Sequence, residues 1–135
     1  MKNKLTRNWL NFIFLTGVCG PVATLVVCYF ITVIANHSEP FMPFISDLDL
    51  FQPEDTIFSI GISISTLAIM AMITIIFGEK RKAISDVGAG RIWGYVNLIS
   101  YAFGILSVAY TFVLAFLPWP EFSPFHGIVA RSMFA

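Results

Sequence analysis

Three runs of this sequence contain no charged residue, and each is longer than a lipid bilayer requires of a spanning helix. They cover residues 8–38, 56–78 and 92–120. A helix needs about 20 apolar residues to cross roughly 30 Å of hydrocarbon. Because lipid offers the backbone no hydrogen-bond partner, each run must pair its own N–H and C=O groups as a helix. The chain is 57% hydrophobic and 12% charged, too little polar surface for a soluble domain of 135 residues. The sequence therefore predicts an integral membrane protein.

The predicted fold class is all-α: one transmembrane helical bundle, residues 1–135, with three full spans and a shorter fourth helix. The helices are expected at about residues 9–35, 57–77, 95–117 and 125–135. A loop at 36–56 joins the first two, and a loop at 78–94 joins the second to the third. The last apolar piece is too short to cross a bilayer.

Basic residues occur on segments that three spans would bring to one side of the membrane. Seven of the eight lie there: Lys2, Lys4, Arg7, Lys80, Arg81, Lys82 and Arg91. The loop 36–56 has none and is acidic. Because basic flanks stay in the cytoplasm, the N-terminus and the loop 78–94 are expected there, with the loop 36–56 on the outer side. Arg131, in the short fourth helix, is the exception.

Small and polar residues repeat at helical spacing on two of the predicted spans. The third carries Asn97, Ser100, Gly104, Ser107 and Thr111, and the second carries Ser59, Ser63 and Thr66 beside Gly61 and Ser65. In lipid, such stripes let backbones approach closely and let hydroxyls bridge helices, so the preferred interpretation is packing. The alternative is a water-lined path for a solute.

The sequence predicts no metal ion and no cofactor. Asp47 and Asp49 are spaced as in calcium loops, but the further oxygen ligands and the central glycine of such loops are missing. Cys19 and Cys28 are too far apart on one helix for a disulfide and are interpreted as packing residues. His37, at the end of the first span, is expected to make an interfacial hydrogen bond.

The basic cluster Lys80, Arg81 and Lys82 is the predicted contact for lipid headgroups, with Arg91 and Trp93 following it. Anionic headgroups of the cytoplasmic leaflet attract such clusters by about 1 kcal/mol per charge. The alternative is that the cluster only sets the orientation of the chain. Membrane lipids are therefore the expected partners, with membrane proteins as further candidates and no nucleic acid.

The most specific motif lies in the loop between the first two spans. "PFISD" is followed after five residues by "PE", and the motif residues are Pro43, Ile45, Ser46, Asp47, Pro53, Glu54 and Phe58. A basic segment, Asn97, "GILS" at 104–107 and His126 follow in order. In these residues the chain resembles a family of multipass membrane proteins. That family includes the damage-regulated autophagy modulators (DRAM), the Frag/Sfk-type proteins and the N-terminal part of the CWH-type GPI-anchor remodelling proteins.

The resemblance implies a six-helix bundle, of which this chain would be the N-terminal half, as a fragment or short isoform. It also implies a role in autophagy and lysosomal function, in GPI-anchor lipid remodelling, or in phosphoinositide organisation at the plasma membrane. The expected location is accordingly lysosomal or another endomembrane, or the plasma membrane.

The resemblance also selects the candidate site residues. Ser46, Asp47, Pro53 and Glu54 are expected to form a structured lid over the outer mouth of the bundle, with both carboxylates accepting from backbone donors. Asn97 and His126 are expected to face the bundle interior. Asp55 and Thr56 stand where a helix N-cap would open the second span.

The preferred function is a DRAM-like membrane protein without catalytic chemistry, acting through lipid and protein contacts. One alternative is a lipid-remodelling enzyme or its accessory, with His126 beside Asp47 or Glu54 as the acid–base group. A second alternative is a small channel or transporter subunit that uses the polar stripe around Asn97.

Overall fold

The computed structural model describes residues 2–38, 48, 50–117 and 123–134. These residues form four helices: α1, Lys2–Ile34; α2, Glu54–Asp86; α3, Arg91–Leu114; and α4, Ser123–Phe134. The first three are long and apolar enough to cross a membrane, whereas α4 is not. The predicted all-α class, with three spans and a short fourth helix, is confirmed.

Each helix packs on the next helix in the chain, and the three long helices run antiparallel to their neighbours. Gly17 of α1 lies against Ile69 of α2, and Thr24 lies against Gly61. On the other side of α2, Ile73 lies against Gly104, and the Ser59 hydroxyl donates to the Ala115 carbonyl over 2.6 Å. Helix α2 is therefore the centre of the packing, with α1 and α3 beside it.

A stripe of small residues on α1 forms its contact with α2. Its members are Gly17, Gly20, Thr24, Cys28 and Thr32, spaced three or four residues apart. Cys28 and Thr32 are 0% exposed. A Cβ added at Gly20 would collide with the Ser65 hydroxyl, so the two backbones approach closely. The sequence analysis assigned such stripes only to the second and third spans, and this one was missed.

The predicted loop 78–94 is wrong, because α2 continues through most of it and the connection to α3 is only 87–90. The segment after Gly78, Glu79-Lys-Arg-Lys-Ala, consists of strong helix formers, and charge alone does not end a helix. With 33 residues, α2 is about 50 Å long, so its basic end extends beyond a hydrocarbon layer of roughly 30 Å.

Helix α2 ends in a hydrogen-bonded turn around Gly88. The Gly88 amide donates to the Ser85 carbonyl over 3.1 Å, and the Ala89 amide donates to the Ile84 carbonyl over 3.1 Å. These are the two bonds of a Schellman motif, which places its C′ residue in the left-handed region. Gly88 occupies that position with φ of 62°.

We expect Gly88→Ala to lower the free energy of unfolding by about 1 kcal/mol, since a side chain strains a left-handed residue. Gly78→Ala is the control, because Gly78 lies inside α2, has open space around it and does not adopt a left-handed φ. Thermal unfolding in detergent micelles compares the two variants. Equal losses would contradict the turn described here.

The predicted N-cap at Asp55 or Thr56 is also wrong, since the N-cap is Pro53 and α2 begins at Glu54. The side chains of both residues bond instead to the preceding Gln52. Its Nε2 donates to Asp55 Oδ2 over 2.8 Å, and its Oε1 accepts from the Thr56 hydroxyl over 2.8 Å. Gln52, two residues before α2, therefore joins two side chains of the first turn, and the N-cap residue Pro53 makes no side-chain cap bond.

Large apolar side chains cover the outer surfaces of the spans. Trp9, Phe12 and Leu15 on α1 are each 60% exposed, and Phe103 on α3 is 67% exposed. In water such surfaces would be costly, whereas in a bilayer they contact hydrocarbon at no cost. These exposed faces match an integral membrane protein in contact with lipid.

Candidate functional sites at the two ends of the bundle

The side chain of Glu54 is 0% exposed in the first turn of α2, although it carries a carboxylate. Its Oε1 is hydrogen-bonded to Nδ1 of His37. The backbone explains how His37 reaches it. Asn36 adopts a left-handed φ of 56°, and the His37 amide donates to the Thr32 carbonyl over 2.9 Å. This turn folds the end of α1 towards the start of α2.

Apolar and weakly polar groups enclose the His37–Glu54 pair. The Phe51 ring lies 4.7 Å from the His37 ring between centroids, and the Cys28 thiol approaches the Glu54 carbonyl at 3.6 Å. Two buried atoms, Glu54 Oε2 and Thr32 Oγ1, have no hydrogen-bond partner among the described residues. A buried carboxylate is expensive unless it is paired, so His37 supplies the compensation that keeps Glu54 in place.

The structure changes the expected role of Glu54 and leaves the lid itself as a prediction. Among the residues that the structure describes, Glu54 bonds to the His37 ring and not to a backbone donor as expected. Pro53 directly precedes α2, whereas Ser46 and Asp47 lie outside the described residues. The sequence analysis expected His37 to hydrogen-bond but did not connect it with Glu54. The available signal was that each residue stands at an end of consecutive antiparallel spans.

His126 lies on α4, where its Nδ1 donates to the Leu117 carbonyl over 2.5 Å. This bond ties α4 to the segment that follows α3. Among the described residues the Glu54 carboxylate bonds to His37, and the pairing of His126 with Glu54 in the enzyme alternative stays a prediction. The other suggested partner of His126, Asp47, lies outside the described residues.

Asn97 is 8% exposed, at the contact between α3 and α2. Its Nδ2 donates to the Phe77 carbonyl over 3.3 Å. Beside it, the Phe77 and Tyr101 rings stack with centroids 4.4 Å apart. The polar stripe of α3 thus begins in a packed contact at the end of the bundle that carries the basic residues, called here the basic end.

Hydroxyl groups on the predicted stripes mostly bond within their own helices. Ser65 donates to the Gly61 carbonyl over 2.7 Å, Thr66 to the Ile62 carbonyl over 2.9 Å, and Thr111 to the Ser107 carbonyl over 3.0 Å. These bonds occupy the hydroxyls inside tightly packed helices, so the arrangement favours the packing interpretation over a water-lined path.

Two adjoining cavities lie between α2 and α3 at the basic end. The larger, of about 360 Å³, is lined by Phe77, Arg81, Arg91, Gly94, Tyr95, Asn97 and Leu98. The smaller, of about 170 Å³, is lined by Ile73, Ile76, Phe77, Lys80, Asn97, Ser100, Tyr101 and Gly104. The predicted headgroup residues therefore separate: Arg81 faces the larger cavity, Lys80 faces the smaller, and Lys82 lines neither.

The fold defines the protein as a multipass α-helical membrane protein with polar sites at both ends of its bundle. A family model described as "Frag1/DRAM/Sfk1/Cwh43P N-terminal domain" matches residues 9–135. The protein belongs to this family, in agreement with the resemblance found in the sequence. A search of curated proteins found no match to the chain, and neither did a search of solved structures.

Proposed function

We propose that this protein organises membrane lipids through lipid and protein contacts, without catalysis of its own. It would act either in autophagy and lysosomal function or at the plasma membrane. The larger cavity is the main observation that supports this proposal. It combines two arginines with the aromatic rings of Phe77 and Tyr95 at the basic end of two spans. A lipid molecule likewise has a charged part, an interfacial part and an apolar part, in that order.

The proposed orientation places the basic end in the cytoplasm. Because α1 runs antiparallel to α2, its first residues lie at the same end of the bundle as the last turns of α2. Arg7 is thereby brought to the end that holds Lys80, Arg81 and Lys82. This arrangement supports the assignment by the positive-inside rule. The lipids involved would then be those of the cytoplasmic leaflet.

The proposal is tested in cells that lack the protein and in cells that express it with a fluorescent tag. We expect its loss to change the distribution of anionic lipids, read with a cytosolic lipid-binding probe on the membrane where the tagged protein resides. Microscopy of the tag separates lysosomal from plasma-membrane action, and measurement of autophagic flux tests the first. An unchanged lipid distribution on the protein's own membrane would refute the proposal.

A lipid-remodelling enzyme remains a second candidate, and the observed His37–Glu54 pair favours it. A carboxylate bonded to an imidazole is a common acid–base unit. Glu54→Gln tests this candidate, because it keeps the shape of the side chain and removes its capacity to exchange a proton. Altered lipid products in the variant would support the enzyme, and unchanged products with a folded variant would reject it.

A further inference from the structure

The two arginines of the larger cavity have no acidic partner among the described residues. Arg81, near the end of α2, and Arg91, the first residue of α3, line the same space. Neither contacts a carboxylate among the described residues, although Glu79 and Asp86 lie nearby on α2. Two like charges facing one cavity repel each other, and their repulsion grows where nearby lipid lowers the dielectric constant. The arrangement calls for an anion.

Phosphate is the anion that suits this geometry. A guanidinium presents its N–H groups as a planar fork that matches phosphate oxygens in pairs. Arg91 also stands at the start of α3, where the helix dipole favours negative charge. The volume of about 360 Å³ is in the range of small-ligand sites.

The wall of the cavity changes in character with depth. From Arg91 to Asn97, α3 advances about 9 Å towards the bilayer centre. Asn97 supplies an amide at that level, and Phe77 and Leu98 supply apolar surface. The smaller cavity shares Phe77 and Asn97 with the larger one and continues past them to Ile73 and Gly104. Along the cavities, charged, amide and apolar side chains therefore follow one another in the order of the phosphate, ester and acyl chain of a phospholipid.

We propose that Arg81 and Arg91 bind the phosphate of a phospholipid headgroup, with the ester region at Asn97 and an acyl chain entering the smaller cavity. This inference rests on the proposed lipid function and specifies its ligand. The continuing apolar cavity favours a lipid over a soluble phosphate compound. Lys82, which lines neither cavity, supplies general attraction to the anionic surface, whereas the two arginines hold one molecule.

Binding is measured on the purified full chain in phosphatidylcholine nanodiscs, titrated with fluorescent phosphatidic acid. We expect Arg81→Gln and Arg91→Gln each to weaken binding about tenfold or more, the usual loss of a hydrogen bond to a charged group. Lys82→Gln is the matched control, because it also removes one positive charge, lies next to Arg81 on α2, and lines neither cavity. Its binding is expected to change less than twofold.

Two further arms identify the source of the phosphate and the role of the deeper cavity. Glycerol 3-phosphate in solution is expected to compete poorly, and Ser100→Leu, which fills part of the smaller cavity from an exposed position on α3, is expected to weaken the lipid alone. Equal losses in Arg81→Gln, Arg91→Gln and Lys82→Gln would overturn the site in favour of a diffuse basic surface. Full competition by glycerol 3-phosphate would overturn the lipid assignment.

Melting temperatures confirm that the exposed variants are folded, and Arg91→Lys provides a second check. It retains the charge without the planar fork and is expected to bind with intermediate affinity. The binding result is separate from the cellular one. If the wild type binds the lipid but its loss leaves the cellular lipid distribution unchanged, the proposed function is refuted and the binding site is retained. If the distribution changes but binding does not depend on the arginines, only the site is refuted.

Discussion

Replacing His37 by alanine is expected to destabilise the protein by about 3 kcal/mol, among the largest effects of any single change at the ends of the bundle. The reason is the carboxylate that remains. Glu54 is fully buried, and His37 is its hydrogen-bond partner among the described residues. Removing the hydrogen-bond partner of a buried carboxylate costs roughly 3–5 kcal/mol, because the carboxylate stays buried without compensation. Because the His37 side chain is partly exposed, we expect the loss in free energy of unfolding to lie at the lower end of that range.

Removing the charge as well should reverse most of the loss. Glu54→Gln is neutral and nearly isosteric, and it is expected to cost less than the His37→Ala change. In the double variant, His37→Ala with Glu54→Gln, no buried charge is left without a partner. We therefore expect a strongly non-additive cycle, with the double variant more stable than His37→Ala alone.

Cys28 supplies a local measurement of this effect. Its thiol is buried against the Glu54 carbonyl, whereas Cys19 is exposed on α1. In a Cys19→Ala background, the rate of Cys28 modification by a maleimide reports the separation of α1 from α2 at this end. The rate should rise in His37→Ala and return towards the original in the double variant.

The matched control is His126→Ala, which removes an imidazole that donates to the Leu117 carbonyl and, among the described residues, leaves no buried carboxylate behind. Its expected cost is about 1 kcal/mol, the usual net value of a hydrogen bond. Unfolding in mixed micelles, monitored by circular dichroism, gives the free energies. If His37→Ala and His126→Ala cost the same, the burial of charge at Glu54 is not the source of the effect.

Adding one methyl group at Gly61 is expected to destabilise the contact between α1 and α2 by about 2 kcal/mol. The new Cβ would lie 3.0 Å from the Cβ of Thr24 and closer still to its Oγ1 and Cγ2. Thr24 is buried and its hydroxyl donates to the Gly20 carbonyl over 2.9 Å, so the side chain has no free space into which to move. Overpacking of this kind costs typically 1–3 kcal/mol.

Gly78→Ala is the control on the same helix, since a Cβ there would meet nothing within 4 Å. Alanine is the better helix former, so this variant should be neutral or slightly more stable. Thr24→Ala is expected to relieve part of the Gly61→Ala loss, because it removes the two closest atoms. If Gly61→Ala and Gly78→Ala unfold alike in the same micelles, α1 and α2 do not pack in the register described here.

Hydropathy and charge, read residue by residue, were enough to predict the membrane class, the number of spans and the clustering of basic residues. Those properties are local, because a charge-free run of 20 residues has few ways to satisfy its backbone in lipid. The same approach failed at 79–86, where charge was taken as the end of the membrane span and also as the end of the helix. Helix propensity, which determines the second boundary, continues to Asp86.

The pairing of helix faces was not predictable in this way. In the sequence, the residues of the α1 stripe are ordinary residues of an apolar span, and only the packing of α2 against them shows their role. They are Gly17, Gly20, Thr24, Cys28 and Thr32. His37 and Glu54 are 17 positions apart, and their contact requires both the left-handed turn at Asn36 and the register that sets Thr24 on Gly61. Arg81 and Arg91 likewise meet only because α3 folds back along α2. Whether a segment enters lipid depends on its own composition. Contacts between segments depend on the register in which they pack, and this register cannot be read from the composition of either segment alone.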